Sequence, residues 1–124
     1  MGKYPTDWFE LTIGAGSTLE RPGIYLWSID DTTSYVGRYS KKSRPLGEYP
    51  RNVFRIREGI PYRPQDPDGF RAIHHHLAAA ADEGRAIKLT ILENCDAGEL
   101  NQRERFYREQ IPTTKSLNGL KRNR

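Results

Sequence analysis

Two tyrosines ten positions apart raise the question of chemistry: Tyr25 closes the triplet Gly23-Ile24-Tyr25, and Tyr35 opens Tyr35-Val36-Gly37. Aromatic residues are common on strand faces, so a β-hairpin with two packed tyrosines is the plain structural reading. The alternative is that both phenols are held over a shared site. Glu104 is the next candidate. An apolar stripe runs through Leu100, position 104, Tyr107 and Ile111 at helical spacing, and a carboxylate in such a stripe is costly to bury unpaired. It needs either an arginine such as Arg103 or Arg108, or a functional partner. The third feature is charge. Seven Lys/Arg residues against one glutamate occupy Arg38 to Arg57, and four more Lys/Arg residues without an acid occupy Lys115 to Arg124. The net charge of +4 therefore hides clustered positive charge on an otherwise acidic chain. Such clustering suits a polyanion, because phosphate contacts release counterions; a solvated basic surface is the alternative.

The elements that must position these residues follow from pattern. Gly23 to Ile29 and Ser34 to Tyr39 read as strands, with "DDTT" as the turn. Side chains alternate along a strand and opposed residues share a face. A two-residue loop opposing Asp30 with Thr33 would put the two tyrosines on opposite faces. A three-residue loop opposing Asp30 with Ser34 would put them on the same face, and a bulge could do likewise. Pro45, Gly47 and Pro50 break any long helix, leaving one from about Pro50 to Glu58 that Gly59 stops. After the Pro-rich loop "IPYRPQDPDG", Asp68 can cap a helix whose apolar stripe is Phe70, Ile73, Leu77 and Ala81. "AIKLTILE" is a strand with Ile87, Leu89 and Ile91 on one face. Asp96 and Glu99 form a capping-box pattern for the last helix, which Pro112 limits. The order β-β-α-α-β-α predicts an α+β domain on a small three-stranded antiparallel sheet flanked by helices.

The chain's 124 residues fit a single domain spanning 1–124. Residues 1–21, with Trp8, Phe9 and Leu11, form an N-terminal extension expected to pack onto that domain by its aromatic residues, as a short helix or another element, and 115–124 form a basic tail. No run of 18 or more apolar residues is present, so no membrane span is expected. The N-terminus lacks a signal-peptide layout, which points to the cytoplasm. The single cysteine, Cys95, excludes an internal disulfide or a cysteine-rich zinc site.

"GIY" at 23–25, "YVG" at 35–37, the basic segment behind them, "NQRERFY" with Glu104 and "SLNG" with Asn118 together resemble the GIY-YIG endonuclease family. The resemblance covers roughly residues 22–120. It implies a three-stranded antiparallel sheet with flanking helices and a metal-dependent endonuclease that hydrolyses phosphodiester bonds in DNA with one divalent ion. Mg²⁺ or Mn²⁺ would be held by Glu104. Tyr25 and Tyr35 would line the active site, one of them helping to activate water, and Asn118 would support it. The chemistry is physically consistent. A phosphodiester under in-line attack gains negative charge that a fixed cation stabilises. Mg²⁺ keeps several waters and needs few protein carboxylates. A general-base tyrosine, with a free pKa near ~10, needs positive charge beside it.

The family's catalytic arginine falls about ten residues after the second motif tyrosine. Here that position is Pro45, so Arg44 is the first candidate, with Tyr49 near the family's usual His/Tyr position. Arg51 is the alternative cation if the Pro/Gly stretch is an insertion. Arg38 directly follows the second triplet and is a further candidate for phosphate contact. Lys41, Lys42 and Arg55 are expected to bind nucleic acid. The run His74-His75-His76 is expected to pack or face solvent, because three adjacent helical residues cannot ligate one ion. A nucleic-acid-binding module that has lost cleavage is the alternative function. Little of the chain remains for a separate DNA-reading domain, so a homodimer or partner protein could supply DNA specificity.

Overall fold

Residues 4–118 are described by the structure, a computed structural model, and Lys121, Arg122 and Arg124 of the basic tail lie outside them. The strands are β1 (Glu10–Ile13), β2 (Gly23–Ile29), β3 (Thr33–Tyr39) and β4 (Ile87–Asn94). The helices are α1 (Tyr49–Glu58), α2 (Ala72–Asp82) and α3 (Leu100–Glu109). The class is α+β, as expected. The sheet differs: it has four strands in the order β1-β4-β2-β3, not three. β2 runs antiparallel to both β3 and β4, which is the expected trio, and β1 adds parallel to β4. The extra strand comes from the N-terminal extension, and the short helix considered for it does not form. Trp8 stacks on Trp27 at 5.5 Å and Phe9 meets the same ring edge-on at 5.0 Å. That anchoring lays Glu10–Ile13 along the otherwise unpaired edge of β4.

Alternation along the strands sorts the core into two layers. Tyr25, Trp27, Ile29, Leu89 and Ile91 pack with Tyr49 and Val53 of α1 and Ile73 and Leu77 of α2. Ile24 and Val36 face the other way, onto Cys95 and Leu100, with Tyr107 of α3 and Ile111 just beyond its end alongside. The stripe expected on the last helix is therefore real, and Glu104 sits in it. Asp96 and Glu99 form the expected capping box around the short 3-10 turn Ala97–Glu99 that leads into α3.

The hairpin register decides the placement of the tyrosines. Ile29 opposes Thr33, so the loop is the three residues Asp30 to Thr32, one position earlier than the expected three-residue loop. Asp30 and Asp31 take left-handed φ values of 52° and 58°, which Asp tolerates better than most side chains. The Asp30 carboxylate accepts from Arg85 Nε at 2.6 Å and from the Ala86 N–H at 2.9 Å, fixing the turn. Trp27 consequently opposes Tyr35, and Tyr25 opposes Gly37. Tyr25 and Tyr35 share a face.

Two local expectations are corrected. Pro45 and Gly47 do not break the chain's helical path: Arg44–Glu48 forms a π-helical turn that runs directly into α1. Pro45 sits within the first two positions of that turn, where a missing N–H costs no helical hydrogen bond, and Pro50 falls at the junction between the π-helical turn and α1. Asp68 does not cap α2. That helix starts later, with Arg71 at the cap position, and the Arg71 N–H donates to His74 Nδ1 at 3.1 Å.

Gly37 has a steric reason to be glycine. A Cβ there would lie 2.3 Å from both Cζ and the hydroxyl oxygen of Tyr25. Gly37→Ala should therefore displace the Tyr25 ring and destabilise the fold by about 1–3 kcal/mol, the usual cost of overpacking. Urea unfolding of the two proteins checks this, and unchanged stability would mean the ring does not depend on that gap.

Candidate active site

The tyrosines converge with an arginine that the sequence reading passed over. The Tyr25 hydroxyl lies 2.6 Å from the Tyr49 hydroxyl, and both side chains are buried. Arg71 Nη1 donates to the Tyr35 hydroxyl at 3.0 Å, and its guanidinium stands 5.2 Å from the centre of the Tyr49 ring. Arg44 is near enough for its charge to act on the Tyr25 phenol. Burial, opposed by this and other neighbours, raises the Tyr25 pKa above its ordinary value; burial likewise pushes Tyr49 well above it. Tyr25 is thus a neutral phenol sealed beneath the surface. Tyr35 is only partly buried and is the more accessible of the two motif tyrosines.

His74 explains how Arg71 is held. Its ring is buried against Tyr49 and Phe70, and Asn52 of α1 meets its Nε2 at 3.3 Å. Nδ1 accepts from the Arg71 backbone N–H, and the Asn52 atom facing Nε2 is the amide nitrogen Nδ2. Burial first, and the nearby Arg71 charge second, lower the His74 pKa to about 3. His75 packs edge-on against Phe70 and His76 is exposed, so the three histidines do not converge on an ion.

Glu104 stands on the opposite face of β3 from the tyrosines. Its carboxylate pairs with Arg38 at 3.8 Å, a loose contact beside the 2.7 Å bonds that Glu93 accepts from Arg103 and Tyr107. Neither Arg103 nor Arg108 is the Glu104 partner shown; Arg103 belongs to Glu93. Among the described residues no group of three or more His, Cys, Asp or Glu side chains is placed to hold a metal. A single loosely paired carboxylate fits a hard cation that keeps most of its waters, and does not fit zinc.

Asn118 holds the strand between these features. Its Oδ1 accepts from the Val36 N–H at 2.9 Å and its Nδ2 donates to the Val36 carbonyl at 2.7 Å. Ser34 and Leu117 pair by backbone just before it. The side chain thus extends a ladder that covers the edge of β3 between Tyr35 and Gly37. Asn118 supports the site through the backbone, not by reaching into it.

The two faces meet in a cleft of about 820 Å³ beyond the end of β3, lined by Arg38, Lys41, Arg44, Arg51, Tyr39 and Leu100 among others. Both candidate catalytic arginines, Arg44 and Arg51, open onto it. Arg44 is the one whose charge also acts on the Tyr25 phenol, and it forms an ion pair with Glu48 at 2.9 Å. Lys42 and Arg55 are engaged elsewhere: Lys42 pairs with Glu20 at 2.8 Å, and Arg55 donates to the Pro61 carbonyl at 3.2 Å. Tyr25 and Tyr35 are therefore brought together on one face, Glu104 and Arg38 form a second group on the other, and of these residues only Arg38 lines the cleft, with Arg44 across it; Glu104 does not converge with the tyrosines. Comparison with protein-family models, curated proteins and solved structures yields no match. No helix among the described residues is long and apolar enough to cross a membrane.

Arg71 could have been noticed in the sequence only as the basic residue directly before a helix; nothing there shows that it turns toward Tyr35.

The His74 shift has a stability consequence. A folded-state pKa near about 3, below the unfolded value near ~6.5, means the unfolded chain binds the proton more readily. The stabilisation is complete above the unfolded pKa and is lost as pH falls toward the folded one. Between pH ~6.5 and ~4.5 the wild type should lose roughly 2 kcal/mol more than His74→Gln. Chemical denaturation at the two pH values measures this, and parallel losses would count against a buried neutral His74.

Proposed function

We propose that this chain is a GIY-YIG-type endonuclease that hydrolyses phosphodiester bonds in DNA using one divalent metal ion. The observation that carries the reading is the cleft into which Arg38, Lys41, Arg44 and Arg51 open together, with the tyrosine cluster behind Arg44 and Glu104 behind Arg38. Four cations around one concavity suit a phosphate backbone. They also place positive charge where a phosphodiester under attack accumulates negative charge.

In this reading Arg44 stabilises the charged phosphate, with Arg51 and Arg38 as its neighbours. Glu104 holds Mg²⁺ or Mn²⁺, an ion that would polarise the scissile phosphate and stabilise the departing oxygen. Tyr35, partly exposed where Tyr25 is buried, is the phenol this reading assigns to proton exchange with an attacking water, from behind the cations that line the cleft. Tyr25, neutral and buried, braces the Arg44 side of the cleft. Asn118 keeps β3 in register beneath both groups. A homodimer or a partner protein supplies base selectivity, since phosphate contacts carry no sequence information.

The burial of Tyr25 favours a second reading. A phenol sealed against Tyr49 cannot itself take a proton from water, and this suits a nucleic-acid-binding module on the same scaffold that no longer cleaves.

Supercoiled plasmid incubated with purified protein and Mg²⁺ or Mn²⁺ separates the two. The nuclease reading expects nicking by the wild type and loss of it in Glu104→Ala, with DNA binding retained. Binding without nicking in either metal would sink the nuclease and leave the binding module. Arg44→Ala should slow nicking by 100-fold or so, as loss of a transition-state cation does, and Arg51→Ala by much less. Equal, small losses would mean that neither arginine is the catalytic cation.

A further inference from the structure

Arg71 is the one cation in the tyrosine cluster that neither the motif spacing nor the basic cleft accounts for. Neither it nor Tyr35 lines the cleft, so the pair stands behind the cations that do. Its backbone is pinned by the His74 ring, which is in turn held against Asn52, so the start of α2 is tied to the middle of α1. Its guanidinium is then delivered to phenols. Nη1 donates to Tyr35 and the plane stands over the Tyr49 ring, so phenols surround the buried guanidinium. The Nη2 group is buried with no acceptor among the described residues.

A guanidinium has donors and no acceptor. Tyr35 can only accept from Arg71, and its own O–H must point elsewhere. We infer that Arg71 is a positioning residue of the proposed cleavage site: it fixes the Tyr35 hydroxyl and turns its proton away from the protein interior, toward the groups that Tyr35 serves. The inference rests on the nuclease reading above. It adds to that reading a residue outside the motif segments. Arg71 acts only through Tyr35, so its loss should leave nothing further to lose once the Tyr35 hydroxyl is gone.

The test is a double-mutant cycle on plasmid nicking, with DNA affinity measured separately. Wild type, Tyr35→Phe, Arg71→Met, Arg71→Lys and the double variant Tyr35→Phe/Arg71→Met are compared at saturating DNA. Arg71→Met should slow nicking by roughly 10- to 100-fold, the scale of a misplaced reacting group, with DNA affinity within about twofold of wild type. Arg71→Lys should recover part of the rate. The double variant should be no slower than Tyr35→Phe alone. Rate losses that multiply in the double variant would overturn the inference, as would a loss that falls on DNA affinity. If circular dichroism finds Arg71→Met unfolded, the same cycle is run with Arg71→Lys, and the same criterion decides. A wild type that binds but does not nick is a failure of the nuclease reading, visible before any Arg71 variant is made. An active wild type with independent losses is a failure of the Arg71 inference alone.

Discussion

The Tyr25 ring lying across the bare backbone of Gly37 is the contact on which the rest of the site depends. It needs a glycine at one position and a large phenol opposite it, in a hairpin of the right register. Given those, the ring passes through the gap on β3 and its hydroxyl reaches Tyr49 on α1. That bond ties the hairpin to the first helix at the point where the π-helical turn carries Arg44 toward the cleft. A side chain at Gly37 would interrupt the chain of contacts at its first link.

Charge is arranged around this contact in two layers. On one face, burial keeps Tyr25, Tyr49 and His74 neutral, and the cations Arg71 and Arg44 are set among phenols. On the other, Glu104 and Arg38 make a loose pair, while Glu93, Arg103 and Tyr107 form a tight one nearby. The contrast is physically useful. A carboxylate with two strong donors already in place has little to offer an incoming cation, whereas one held at 3.8 Å keeps lone pairs free. Asn118 makes the arrangement stable by finishing the exposed edge of β3 with a side-chain amide that copies a peptide group.

Much of this was legible before the fold was known. Alternation marked β2, β3 and β4, helical spacing put Glu104 within an apolar stripe, and Asp96 with Glu99 announced the approach to α3. What was missed has common causes. Four residues of β1 are too few for periodicity to declare a strand, and its pairing depends on Trp8 and Phe9 meeting Trp27. The prolines at 45 and 50 look like breaks because sequence alone does not say whether a proline begins a turn or interrupts one. Asp68 has the chemistry of a cap, but a histidine ring inside the helix did the work instead.

The sequence by itself determined the inventory: two tyrosines flanked by glycines, a carboxylate in an apolar stripe, an asparagine after the last helix and a basic segment between them. It also limited the hairpin to a few registers, because strand alternation has only two outcomes. Which of those outcomes holds was decided by the tertiary structure, through the left-handed aspartates and the Asp30–Arg85 pairing across distant segments. The tertiary structure also chose among the arginines. Arg71, far from both tyrosines along the chain, reaches Tyr35 because a buried histidine ties α2 to α1. Side-chain direction across such a separation depends on packing between layers, and local spacing carries no information about it.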